Sequence, residues 1–240
     1  MTVTAEIFAA ATVRKDSSRE KLRQLSRFVT VKISTLNKGL TEGRSDARAS
    51  LARLRRGADG TRNAWMLVGE DLFTDGPDNG SSASDLFGPD DYGHRYLTAA
   101  MGALYLYAIH RQSKPGDVNT DDPRASFGRA CRQIGRQTVS DGNSEAPASS
   151  ASANTDVDSG VHRRLTAMER ATDFPSTMVW MRGLITMIHS TEGIIPINYG
   201  RLACDLYALQ IPDRREDVFR RWSQDFFTRS AGSGAGSVRK

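Results

Sequence analysis

The sequence predicts an all-α protein, a helical bundle with an N-terminal and a C-terminal helical half. Three observations carry that prediction. Apolar residues recur at three- and four-residue spacing in segment after segment, the period of a half-buried helix. No run alternates apolar and polar residues with the period of two that a half-buried strand needs. The 240 residues, 38% hydrophobic and 25% charged, suffice to bury a core without disulfide staples.

The elements follow in order. Ser17-x-x-Glu20 resembles a capping box. It precedes Leu22, Leu25, Phe28, Val29, Ile33 and Leu36, spaced for an amphipathic helix that Gly39 stops. A second helix over 44–56, capped by Ser45, ends at Gly57. Asn63 to Val68 reads as a short buried helical piece around Trp65. Asp71 to Asp91 is rich in Gly, Asp, Ser and Pro and reads as a surface loop. Tyr92 to Arg111 is a strong helix, with Tyr96, Leu97, Ala100, Met101, Leu104, Ala108 and Ile109 on a broad apolar face. Arg124 to Arg136 is helical, weakened by Gly128 and Gly135. Thr138 to Gly160 is low-complexity and too polar to order itself. Val161 to Ala171 is helical. Ser176 to Ser190, apolar nearly all round, is expected at the centre of the C-terminal bundle. Ile194 to Ile197 is extended, and Asn198 to Leu209 and Arg214 to Phe227 are the last helices. Val218, Trp222 and Phe226 anchor the second of these. The domain organisation expected is therefore 1–137 helical with a basic face, 138–160 a flexible insert, 161–229 a helical bundle and 230–240 a disordered tail.

Charge is segmented along the chain. The formal net charge is +5, but Arg14 to Arg56 holds thirteen Lys/Arg against four Asp/Glu. Asp59 to Arg95 reverses the balance, with two basic and eight acidic residues. Such segmentation points to a basic footprint on one region. At 100° per residue, Arg44, Arg48 and Arg55 share one helical stripe beside the apolar stripe of Ala47, Leu51 and Leu54. Arg129, Arg132 and Arg136 repeat the design opposite Phe127, Ala130, Cys131 and Ile134. Helices that bury one face and offer arginine on another form surfaces that track phosphates. Solvation of an exposed face is the competing reading for any single arginine. Arg53, Arg55 and Arg56 also suit a helix C-terminus, where the dipole favours cations. Arg163 and Arg164 open a helix, where the dipole disfavours them. An anionic partner, or Asp156 and Asp158 upstream, would compensate. Arg220 and Arg221 read as a solvated face or a subunit contact. Few aromatics lie among the arginines, which favours backbone tracking over a base-stacking platform.

No catalytic constellation emerges. His94, His110, His162 and His189 are scattered, and His189-Ser-Thr-Glu192 lacks a companion ligand motif. Cys131 and Cys204 form no C-x-x-C pair and read as buried thiols of a reducing compartment. Gly232 to Gly236 lacks the Lys-Ser/Thr of a phosphate loop. Catalytic residues, metals and cofactors are thus expected to be absent. With no leader layout and no membrane-length run, the chain reads as cytoplasmic.

The order of segments resembles the CasB family, the small subunit of the type I-E CRISPR surveillance complex Cascade. The matching pieces are Leu51-Ala-Arg-Leu-Arg-Arg-Gly57, the 96–110 helix, Ser126-Phe-Gly-Arg-Ala130 and the Arg163-Arg164-Leu165 start. The Ile195 to Leu206 run and the closing Arg221-Trp-Ser-Gln-Asp-Phe-Phe227 complete the series. The resemblance implies an all-helical, non-enzymatic subunit in antiviral defence. Its implied partners are the backbone and large subunits of the crRNA-containing Cascade, a second copy of itself, and the target and non-target DNA strands of the R-loop. Carried over by motif, Arg55 and Arg56 match the family's basic pair, Arg129 its G-R-A element, and Arg163 and Arg164 its paired-arginine helix start. Three alternatives remain: an adaptor whose arginines pair with acidic partner surfaces, a nuclease with a site assembled from distant residues, and a membrane-surface binder.

Overall fold

The computed structural model describes residues 2–57, 69, 87–142 and 159–228. The piece expected at 63–68 and the tail after Arg229 lie outside these residues, as do most of the 71–91 loop and the 138–160 insert. Eight helices are present among the described residues. They are α1 (Thr2–Thr41), α2 (Ser45–Gly57), α3 (Asp91–Arg111), α4 (Phe127–Gly142), α5 (Ser159–Arg170), α6 (Phe174–Ser190), α7 (Tyr199–Leu209) and α8 (Pro212–Phe227). The all-α prediction holds. The extended backbone that pairs is an isolated parallel bridge between Asn119 and Ile197.

Local chemistry sets the boundaries. Gly43, at φ 74°, takes the left-handed conformation that turns α1 into α2. The Gly43 amide donates to Leu40 and the Arg44 amide to Gly39, closing the end of α1. Asp90 caps α3 by accepting from the Gly93 amide at 2.6 Å. Asp173 caps α6 through the Ser176 amide at 2.7 Å, with Pro175 in the first turn. Asn198 caps α7 through the Arg201 amide at 2.8 Å.

Four expectations need correction. α1 begins at Thr2, so Ser17-x-x-Glu20 sits inside a helix and starts nothing. α1 also passes Gly39, which is instead where α2 comes closest: a Cβ there would meet the Ala47 Cβ at 2.7 Å. α4 runs on through Gly142, so the low-complexity segment opens as helix. Finally, the centre is α3 and not α6. α3 packs on α7, α6, α2 and α1, and Ala99, Ala100, Ala103 and Ala108 let those neighbours approach closely. α6 buries Met181, Leu184, Ile185 and Ile188 but leaves Val179 69% and Trp180 39% exposed. An apolar composition all round does not say which side meets a neighbour.

The buried residues form one cluster that draws on α1 to α8. α1 lies along α7, and α4 lies along α8. Tyr96 stacks on Tyr207 at 4.2 Å between ring centres. His110 shares a 3.0 Å hydrogen bond with the Tyr199 hydroxyl inside the core. Burial, with His189 and Lys114 nearby, holds the His110 imidazole down at about 3. No described helix is long and apolar enough to cross a membrane.

Candidate nucleic-acid interface

α2 buries Ala47, Leu51 and Leu54 against α1 and α3, which turns its arginines outward. Arg44, Arg48 and Arg56 are exposed; Arg53 and Arg55 are half-buried. Arg44, just before the helix, grips Asp46 through Nε at 3.0 Å and a second bond from Nη2 to Oδ2. That pairing pushes the Asp46 carboxyl below its usual range. Asp46 is the one carboxylate of α2, against four arginines. Arg53 donates to the Ser50 hydroxyl at 3.0 Å. Arg56 reaches back to the Ala52 carbonyl at 3.4 Å.

The stripe expected on α4 divides. Arg136 is exposed. Arg129 is half-buried, with Nε 3.7 Å from Asp225 of α8. Arg132 is 8% exposed and donates to the Phe226 carbonyl at 2.6 Å. The expectation that Arg132 lies on an outer face fails, because α8 covers that side of α4 and its C-terminal carbonyl needs a donor. Arg132 is a structural clamp.

Arg163 and Arg164 are exposed on the first turns of α5, and Arg164 donates to the Gly160 carbonyl at 3.2 Å. α5 packs on α4 and α6, whereas α2 packs on α1 and α3, so the arginines of α4 and α5 stand on a different group of helices from those of α2. Arg220 pairs with Asp217, and Arg221 with the buried Asp205 at 2.7 Å. Asp205 also accepts from Trp222 Nε1 at 2.9 Å.

Two features escaped the sequence. Arg201, at the start of α7, approaches the same Asp225 at 3.5 Å and donates to the Pro123 carbonyl. Its place beside Arg129 follows from three helix ends meeting, which no spacing rule encodes. His162 and Phe227, far apart in sequence, stand 5.7 Å apart between ring centres, and Phe227 is 55% exposed. One exposed aromatic thus stands beside His162, the neighbour of Arg163.

Among the described residues no group of three His, Cys, Asp or Glu side chains is placed to hold a metal. Cys131 and Cys204 are free thiols, and burial pushes Cys204 up to about 12.

Residues 50–227 match the family model of CRISPR-associated protein Cse2. No curated protein matches the chain. Among solved structures, the fold resembles the crystal structure of CasB from Thermobifida fusca, with TM-score 0.60 and 24% identity over 85% of this chain and 98% of that one.

Proposed function

The chain belongs to the CRISPR-associated Cse2 family, small subunits of CRISPR Cascade complexes, and from that premise we propose that it stabilises the R-loop by arginine–phosphate contacts without catalysing a reaction. The observation that carries this reading is α2. Four arginines follow its buried apolar stripe, and its one carboxylate is already engaged by Arg44. A helix edge so charged gains most beside a polyanion. Exchange of a DNA duplex for an RNA–DNA hybrid is close to balanced, so backbone contacts from a basic subunit tip it. Arg48, Arg55 and Arg56 on α2, with Arg129, Arg136, Arg163 and Arg164 on α4 and α5, are the phosphate contacts in this reading. Arg44 and Arg53 support them from their local hydrogen bonds. The backbone and large subunits, a second copy of this chain and both DNA strands are the partners.

The test is binding of the full chain to single- and double-stranded DNA of unrelated sequences across a salt series, beside Arg55→Glu/Arg56→Glu. Sequence-indifferent binding with a slope of roughly −0.7 per phosphate on single strands, lost in the variant, is the expected result. Absence of binding at low salt overturns the reading for the free chain. An adaptor is the second reading. Arg129 and Arg201 both face Asp225, so arginines of this protein do pair with carboxylates. An adaptor variant fails to assemble, whereas a strand holder assembles and loses R-loop stability.

A further inference from the structure

A cleft between α5 and α8 is lined by His162, Thr166 and Glu169 on one wall and by Ser223, Phe226 and Phe227 on the other. Its aromatic groups are mutually braced. His162 lies nearly parallel to Phe226, 16° between planes and 6.2 Å between centres, and edge-on to Phe227. Phe226 and Phe227 meet at 87° and 5.0 Å. Phe226 is buried, while Phe227 leaves 55% of its surface open. Rings held this way keep one aromatic surface exposed without the freedom to turn inward.

The charge around the cleft selects its occupant. α5 carries Arg163, Arg164 and Arg170 against Glu169 alone. Across the cleft Arg215 lies over Phe219 at 4.9 Å and donates to the Glu169 backbone carbonyl at 3.4 Å. On α8, Asp217 is taken up by Arg220, and Glu216 is exposed. The excess of arginine on α5 beside the cleft disfavours a basic side chain from a partner protein. A nucleotide places its base on the exposed ring and its phosphate beside Arg163, the neighbour of His162.

We propose that this cleft holds an unpaired nucleobase of a bound single strand, stacked on Phe227 and His162, with the flanking phosphate beside Arg163. This rests on the nucleic-acid reading above and adds a base-dependent contact to it. Stacking on aromatic side chains tolerates any base, because every base offers a π-face. The Thr166 and Ser223 hydroxyls offer hydrogen bonds to its edge.

The test compares two single strands of equal length, a thymidine oligonucleotide and an oligonucleotide of abasic residues with the same number of phosphates. Titration of the full chain should favour the base-bearing strand by roughly 5- to 150-fold. Phe227→Ala should remove that preference and keep both the abasic affinity and the salt slope. Phe227→Tyr should restore it, which separates stacking from a folding defect. Equal affinity of the native chain for both strands, or an unchanged preference in Phe227→Ala, overturns the stacking site and leaves the phosphate reading standing. Failure of both strands to bind at low salt removes the two together. If Phe227→Ala keeps DNA binding intact but drops out of the assembled complex, the cleft takes a protein side chain and the inference is wrong.

Discussion

Gly128→Ala sets helix propensity against packing, and the structure decides the sign. Gly128 is the second residue of α4 and faces the backbone of α8. A Cβ there would stand 2.4 Å from the Trp222 carbonyl oxygen and 3.0 Å from its Cα. Ordinary contact begins near 3.4 Å, so the two helices would have to part by about 1 Å. Neither atom belongs to a side chain that could swing away. Overpacking against backbone lies at the upper end of its range, about 3 kcal/mol. Alanine returns at most about 1 kcal/mol of helix propensity. The net loss is about 2 kcal/mol, or a Tm lowered by roughly 4–8 °C for a chain of this size. Gly183→Ala is the matched control. Nothing lies within 4 Å of its Cβ position on the exposed side of α6, so it keeps the propensity gain without the clash and raises Tm by roughly 2–4 °C. Thermal melts followed by circular dichroism read both. A Gly128→Ala protein that melts at or above the native temperature would refute the close α4–α8 approach.

The remaining expectations concern buried polar groups. Asp205→Ala leaves the Trp222 Nε1–H without its acceptor and Arg221 without its partner, and should cost about 3 kcal/mol in urea denaturation; a loss under about 1 kcal/mol would mean that solvent reaches the indole. Arg132→Ala should lower the urea midpoint clearly by freeing the Phe226 carbonyl, while Arg56→Ala stays within about 0.5 kcal/mol of native; equal effects would contradict the division into clamp and surface arginines. His110 is depressed from 6.5 to about 3, so the unfolded chain binds the extra proton between those values. Its contribution is complete above pH 6.5 and declines as pH falls toward 3, by up to about 1.4 kcal/mol per pH unit. His110→Gln should flatten the fall of the urea midpoint between pH 6.5 and 4, and parallel curves in the two proteins would exclude His110 as its source.

How much was legible in the sequence depends on whether the signal is local. α3, α7 and α8 follow from apolar spacing to within two residues at either end, because burial on one side writes a 3.6-residue period. The start of α1 does not, since the first residues of that helix carry few large apolar side chains. The rank of α6 failed for another reason: hydrophobicity measures the tendency to be buried, and only the neighbours decide which side is covered. Among the arginines, the outward turn of α2 was readable from Ala47, Leu51 and Leu54. Arg132 was not, because its burial depends on the end of α8, 94 residues away. The approach of Phe227 to His162 is likewise a product of tertiary structure.

The pairing of α1 with α7 has a consequence for biosynthesis. The Cys204 thiol bonds the Leu22 carbonyl, 182 positions earlier in the chain. Leu25, Val29 and Ile33 leave the ribosome long before α7 exists. At about 5–20 residues per second, the first helix waits roughly 9–36 s for its neighbour. Its sticky side is then open to chaperones or to another nascent copy. The late C-terminal helices thus act as the closing step of assembly, and a message truncated before α7 would release an N-terminal fragment in which α2 and α3 cover α1 but the side that meets α7 stays open.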